Sequence, residues 1–133
     1  MRRLVALGAA AAALAGCGTA SPDLFEVRRS GADPNANVTV VVNDGGRVSC
    51  NGESHQLDAD RLLRARELTR DLEPQAELNL ELPPGPGAQL SYRVRLETGT
   101  VAFSDTSPRN PRSFLALAAF TKDVTERVCG LER

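Results

Sequence analysis

Apolar and polar residues alternate with a period of two along several stretches of this chain, and two other stretches carry apolar residues at helical spacing. Phe25 and Val27 against Glu26 and Arg28 predict a half-buried strand that stops at Ser30-Gly31. A loop over 32–37, containing Asp33-Pro34-Asn35, leads to Val38-Thr39-Val40-Val41-Val42, whose β-branched residues predict the clearest strand of the sequence. Asn43-Asp44-Gly45-Gly46 offers glycines where a hairpin turn needs positive φ, and a return strand over 47–51 places Val48 and Cys50 on one face. Asp58 can cap a helix whose inner positions are Leu62, Ala65, Leu68 or Thr69, and Leu72, with Asp60 suited to the first turn and Pro74 as its end. Leu78, Leu80 and Leu82 alternate over 77–82 and suggest an optional edge strand before the rigid break Pro83-Pro84-Gly85-Pro86-Gly87. Leu90, Tyr92, Val94 and Leu96 then alternate with Ser91, Arg93, Arg95 and Glu97, and Thr98-Gly99 turns into a partner strand with Val101 and Phe103. Asn110 as N-cap and Pro111 at the first helical position open a last helix, with Phe114, Leu117, Ala118, Thr121, Val124 and Val128 as its inner stripe and Gly130 as its left-handed cap.

This order predicts an α+β fold in two layers: an antiparallel sheet of about five strands with two helices packed on one face. The opposite sheet face is expected to carry Glu26, Arg28, Thr39, Val41, Ser91, Arg93, Arg95, Ala102 and Ser104, and to be mainly solvated.

The N-terminal segment changes the setting of that domain. Arg2 and Arg3 precede an apolar, alanine-rich run over 4–14. At about 11 residues it is too short for a bilayer, which needs roughly 20, and it has the form of a secretory signal. It ends in Leu14-Ala15-Gly16-Cys17, which resembles the lipobox of bacterial lipoproteins. That resemblance implies that Cys17 receives a diacylglycerol and becomes the first mature residue. The expected organisation is a signal peptide at 1–16, lipidated Cys17 with a short tether to residue 23, and one globular domain over 24–133. The tether over 18–23 reaches roughly 20 Å when extended, so the domain is expected close to the surface of a cell membrane or envelope.

Cleavage removes two of the 16 basic residues and none of the 17 acidic ones, leaving a formal charge of −3. Such a balance disfavours nucleic acid and adsorption to anionic lipid, so attachment to the membrane is assigned to the acyl chains. With Cys17 lipidated, Cys50 and Cys129 remain as an even pair in an oxidising compartment, and a disulfide between them is expected. It would pin the last helix across the end of the first hairpin; two separately buried thiols are the alternative.

Chemistry-bearing clusters are sparse. His55 is the one histidine, placed in the loop before the first helix near Glu53, Ser54, Asp58 and Asp60. It has no second nitrogen or sulfur ligand at zinc spacing. Ser54 and Ser104 are candidate nucleophiles for it, yet neither sits in a strand-turn-helix elbow. Gly45-Gly46 precedes a strand and not a helix, so no phosphate loop is present. No catalytic residue, metal ligand or cofactor is therefore expected.

The mature part resembles emfourin-like domains, small bacterial inhibitors of thermolysin-like metalloproteases. The resemblance is carried by a strand ending Arg28-Arg29-Ser30-Gly31, a Leu-rich helix, and Tyr92-Arg93-Val94-Arg95-Leu96 with its hairpin partner ahead of a final helix. The sequence departs from that pattern after Gly31, where Ala32-Asp33-Pro34 follows, and in the additional strand bearing Cys50. The resemblance implies a protease as partner and transfers no functional residue; the sparse chemistry and the small stapled scaffold point more broadly to an envelope protein as partner. The expectation is an exported, lipid-anchored, non-catalytic protein-binding domain, with three loops over 31–37, 83–87 and 105–110 as contact surface. The alternative is a small envelope hydrolase or metal enzyme centred on His55.

Overall fold

The computed structural model describes residues 21–132; the expected signal peptide, Cys17 and the first residues of the expected tether lie outside the described residues. Six antiparallel strands form one sheet. They are β1 (Asp23–Gly31), β2 (Val38–Asn43), β3 (Arg47–Cys50), β4 (Glu53–Gln56), β5 (Leu90–Leu96) and β6 (Gly99–Ser104), in the spatial order β4-β3-β2-β1-β5-β6. Two helices, α1 (Ala59–Glu77) and α2 (Arg112–Asp123), complete the α+β fold.

Register follows the alternation. Val27 stands opposite Val40 on one side and Val94 on the other, Val42 opposite Val48, and Val94 opposite Val101. All of these are fully buried on the face the helices cover. Burial of each such side chain is worth about 1.5–3 kcal/mol, which is why the pattern fixes the face. α2 runs across that face from β6 toward β1. Phe114 stacks on Phe103 of β6 with centroids 4.7 Å apart, and Phe103 stacks on Tyr92 of β5 at 4.8 Å. Further on, Phe120 meets Phe25 of β1 edge to face at 6.0 Å. The helix then passes into a π-helical turn (Val124–Val128), where the Cys129 N–H donates to the Val124 carbonyl. Cys129 reaches β3 there and is bonded to Cys50, with Cα atoms 6.3 Å apart. Gly130, with φ +70°, ends the turn as expected.

Four expectations are corrected. His55 is not in a loop: Glu53–Gln56 is an edge strand, joined to β3 through Asn51-Gly52, both with positive φ. Pro74 does not end α1, which runs on to Glu77. Tertiary contacts outweigh the roughly 3 kcal/mol that an interior proline costs. Ala76 is fully buried against Gly99, where a Cβ would come within 1.9 Å of the Ala76 carbonyl oxygen, and Asn79 accepts the Thr100 N–H. The extended helix consumes part of the optional strand, so Leu78 is 78% exposed while Leu80 and Leu82 pack on the core. What remains is a parallel bridge from Glu81 to Ala102 on the outer edge of β6. Finally, Pro111 and not Asn110 is the N-cap of α2; the Asn110 Nδ2 donates instead to the Ser104 carbonyl.

Candidate functional site

The three loops meet at one end of the sheet. A Cβ on Gly31 would lie 2.4 Å from the Gln89 carbonyl oxygen, and one on Gly85 would lie 1.9 Å from that of Thr106. The Gln89 N–H donates to the Asp105 carboxylate, and Asn37 Oδ1 accepts the Gly31 N–H. Arg29, which alternation turns inward, is 4% exposed there and donates through Nε to the Ala36 carbonyl. Many of the polar groups at this end are thus engaged with one another, which locks the loops.

His55 is separated from both candidate nucleophiles. It lies on the inner face beside Val48, whereas Ser54, its chain neighbour, points to the opposite face. Ser104 is on β6, five strand spacings away, or roughly 24 Å. Ser104 is also buried, its Oγ 3.1 Å from Ser107 Oγ, because the loop after β6 folds over it. Among the described residues, no group of three or more His, Cys, Asp or Glu side chains is placed to hold a metal ion.

A hollow of about 400 Å³ lies between the start of α1 and the end of α2. Three of the charges that line it are closed on each other. Arg61 donates through Nε and Nη2 to both oxygens of Asp123, at 2.7 and 3.2 Å, and through Nη1 to Asp58 at 2.5 Å. The Arg61 guanidinium holds the Asp123 carboxyl below the usual carboxylate range, and the Arg61 backbone N–H at the helix cap does the same for Asp58. Both carboxylates therefore add stability above their ordinary pKa near 4, and that stability is lost as pH falls through the depressed folded values. Arg61→Gln is expected to lower the melting temperature at about pH 7 and to make little difference near pH 2. Melting curves across that range check it; a constant offset would assign the effect to packing.

The open face of the sheet differs from both regions. β1 and β5 bring Glu26 opposite Arg95, and Arg28 opposite Arg93, while β6 contributes Thr100 opposite Arg95 and Ala102 opposite Arg93. Glu26 is 9% exposed although it faces away from the core, which departs from the solvated face expected of it. The reason is that two arginines close over it. Arg28 Nε donates to one carboxylate oxygen at 2.9 Å, and Arg95 Nη2 donates to the other. Arg93 leans the other way, both Nη atoms 3.4 Å from Glu81 Oε1. Glu81 is held in place by its neighbours: the Leu82 N–H donates to the Ala102 carbonyl and the Ala102 N–H to that of Leu80. Between these groups runs a groove of about 220 Å³ lined by Glu26, Arg28, Arg93, Arg95 and Thr100. Three guanidinium groups thus face two carboxylates in a chain whose overall charge is negative.

The sequence placed all four ladder residues on this face but did not bring them together. Arg28 and Arg93 meet only because β5 pairs with β1, a long-range register that no local pattern announces. Comparison with known proteins leaves this geometry as the basis for a functional reading: no family model matches the chain, nor does any curated protein or solved structure.

Proposed function

We propose that this protein is a lipid-anchored component of the cell envelope whose folded domain is non-catalytic and binds a protein partner through the open face of its sheet. The observation that carries the reading is the arginine cluster around Glu26. A sheet face that had only to be soluble would carry dispersed charges of both signs; here like charges stand directly opposite at Arg28 and Arg93, an arrangement that costs stability. Arginine is enriched where one protein surface meets another, and its planar fork suits carboxylate recognition. The separation of His55 from Ser54 and Ser104 supports the non-catalytic reading over a hydrolase centred on that histidine. The anchor rests on the lipobox at residues 14–17, and the resemblance to emfourin-like domains makes a metalloprotease one partner class to test.

Site-specific photo-cross-linking in producing cells tests it. A photoreactive residue at Ser91, on the open face, is expected to give a discrete protein adduct that Arg28→Gln with Arg93→Gln abolishes. The same probe at Leu63, exposed on α1, is expected to give none. Adducts from Leu63 alone, or none from Ser91, would overturn the reading.

A further inference from the structure

We infer that the groove between Arg28 and Arg93 seats a side-chain carboxylate from an acidic, extended segment of a partner protein; the inference rests on the docking surface proposed above and names the chemistry of its occupant. A guanidinium offers five N–H donors. Arg28 and Arg95 each spend one on Glu26, and Arg93 makes only two long contacts to a single oxygen of Glu81. The side chains of Arg28, Arg93 and Arg95 are 68%, 58% and 71% exposed, so most of these donors face solvent. Glu26 accepts from Arg28 on one oxygen and from Arg95 on the other, whereas Arg93 turns to Glu81. Three guanidinium groups thus share two carboxylates, and one further carboxylate placed between Arg28 and Arg93 would balance the excess charge and relieve their like-charge opposition.

The surroundings decide what carries that carboxylate. Thr39, Ser91 and Ala102 flank the cluster, so no bulky side chain walls it off and an extended backbone can lie along the strands. At about 220 Å³ the groove is smaller than the roughly 300–1,000 Å³ of a typical small-molecule pocket. The negative overall charge opposes a long polyanion or an anionic bilayer, whereas a short acidic segment meets only the local field. Glu81 acts as an internal competitor. It presents its carboxylate to Arg93 from a backbone segment pinned to β6, with its side chain 65% exposed and free to swing away.

Fluorescence anisotropy of the full chain in neutral detergent micelles tests the inference. The probe is a labelled peptide of alternating glutamate and serine, with the glutamine analogue as control. Vesicles containing anionic lipid, and inorganic phosphate as competitor, are run alongside. The acidic peptide is expected to bind and the glutamine peptide not to. Arg93→Gln is expected to weaken binding by about tenfold, and Glu81→Gln to strengthen it by about threefold. Both changes are at exposed side chains, and a single cooperative melting transition in each variant confirms that the fold is intact. An unaltered affinity in Arg93→Gln, a loss of affinity in Glu81→Gln, or arginine-dependent binding of phosphate or vesicles in place of the peptide would each overturn the carboxylate assignment. If the Ser91 cross-link persists in that event, the docking surface survives without it; peptide binding without any Ser91 adduct would reject the docking surface instead.

Discussion

Cys50→Ser and Cys129→Ser are each expected to destabilise the domain by about 4 kcal/mol, and the double variant by no more than either alone. The two half-cystines are 79 residues apart, so the bond removes a large share of the conformational freedom of the unfolded chain. All three variants lose the same bond, which is the source of the non-additivity. The size matters because a domain of this kind has only about 5–15 kcal/mol in total. Position adds to it. Cys129 follows directly on the π-helical turn, and its bond is what ties the end of the last helix to β3; without it, Val124 and Thr125 are held by packing and by hydrogen bonds local to the turn, such as that from Thr125 Oγ1 to the Lys122 carbonyl. Denaturant titration of the four proteins under non-reducing conditions gives the energies, and mass spectrometry of the unreduced protein should show the linked peptide. Additive losses, or free thiols at both positions, would reject the bond as the cause.

Cys17→Ala is expected to convert the protein from membrane-bound to water-soluble while leaving the domain folded. Under the proposed lipid anchor Cys17 is the attachment point, and among the described residues no helix is long and apolar enough to cross a membrane. The fold should not notice the change, since the first core residue is Phe25 and the strand carrying it begins at Asp23. Phase separation in detergent provides the measurement, with wild type in the detergent phase and the variant in the aqueous phase, and an unchanged melting temperature in both. A variant that still sediments with membranes after a high-salt wash would require the lipid-anchor reading to be withdrawn.

Much of the architecture was legible because burial on one face imposes a period of two that slips at great cost. Val27, Val40, Val94 and Val101 could be assigned to one face before any pairing was known. β4 escaped because Glu53-Ser54-His55-Gln56 has no apolar residue to betray it. The better signal was the turn before it: Asn51-Gly52 is the dipeptide that a tight hairpin favours, and it predicts a return strand whatever the residues that follow. Pro74 misled for the opposite reason. The local rule fails where the decisive contact, Ala76 against Gly99, joins segments distant in sequence. The arginine cluster lies at the limit of this kind of reading. Each of its members was assigned to the correct face, yet their meeting depends on which strands become neighbours, and that is settled by the fold as a whole.

The chain enters the domain through β1, and β1 is an interior strand, bonded to β2 on one side and β5 on the other. This has a mechanical consequence. A tether held in a membrane would pull along the axis of β1, and antiparallel hydrogen bonds lie across that axis. Tension would then act on both ladders in shear, all bonds sharing it at once, where an edge strand could be peeled away one bond at a time. A partner gripped at Arg28 would be held by the same strand that takes the pull, and one gripped at Arg93 or Arg95 by its immediate neighbour. Force between anchor and partner would thus pass through two adjacent strands, sparing both helices and the disulfide.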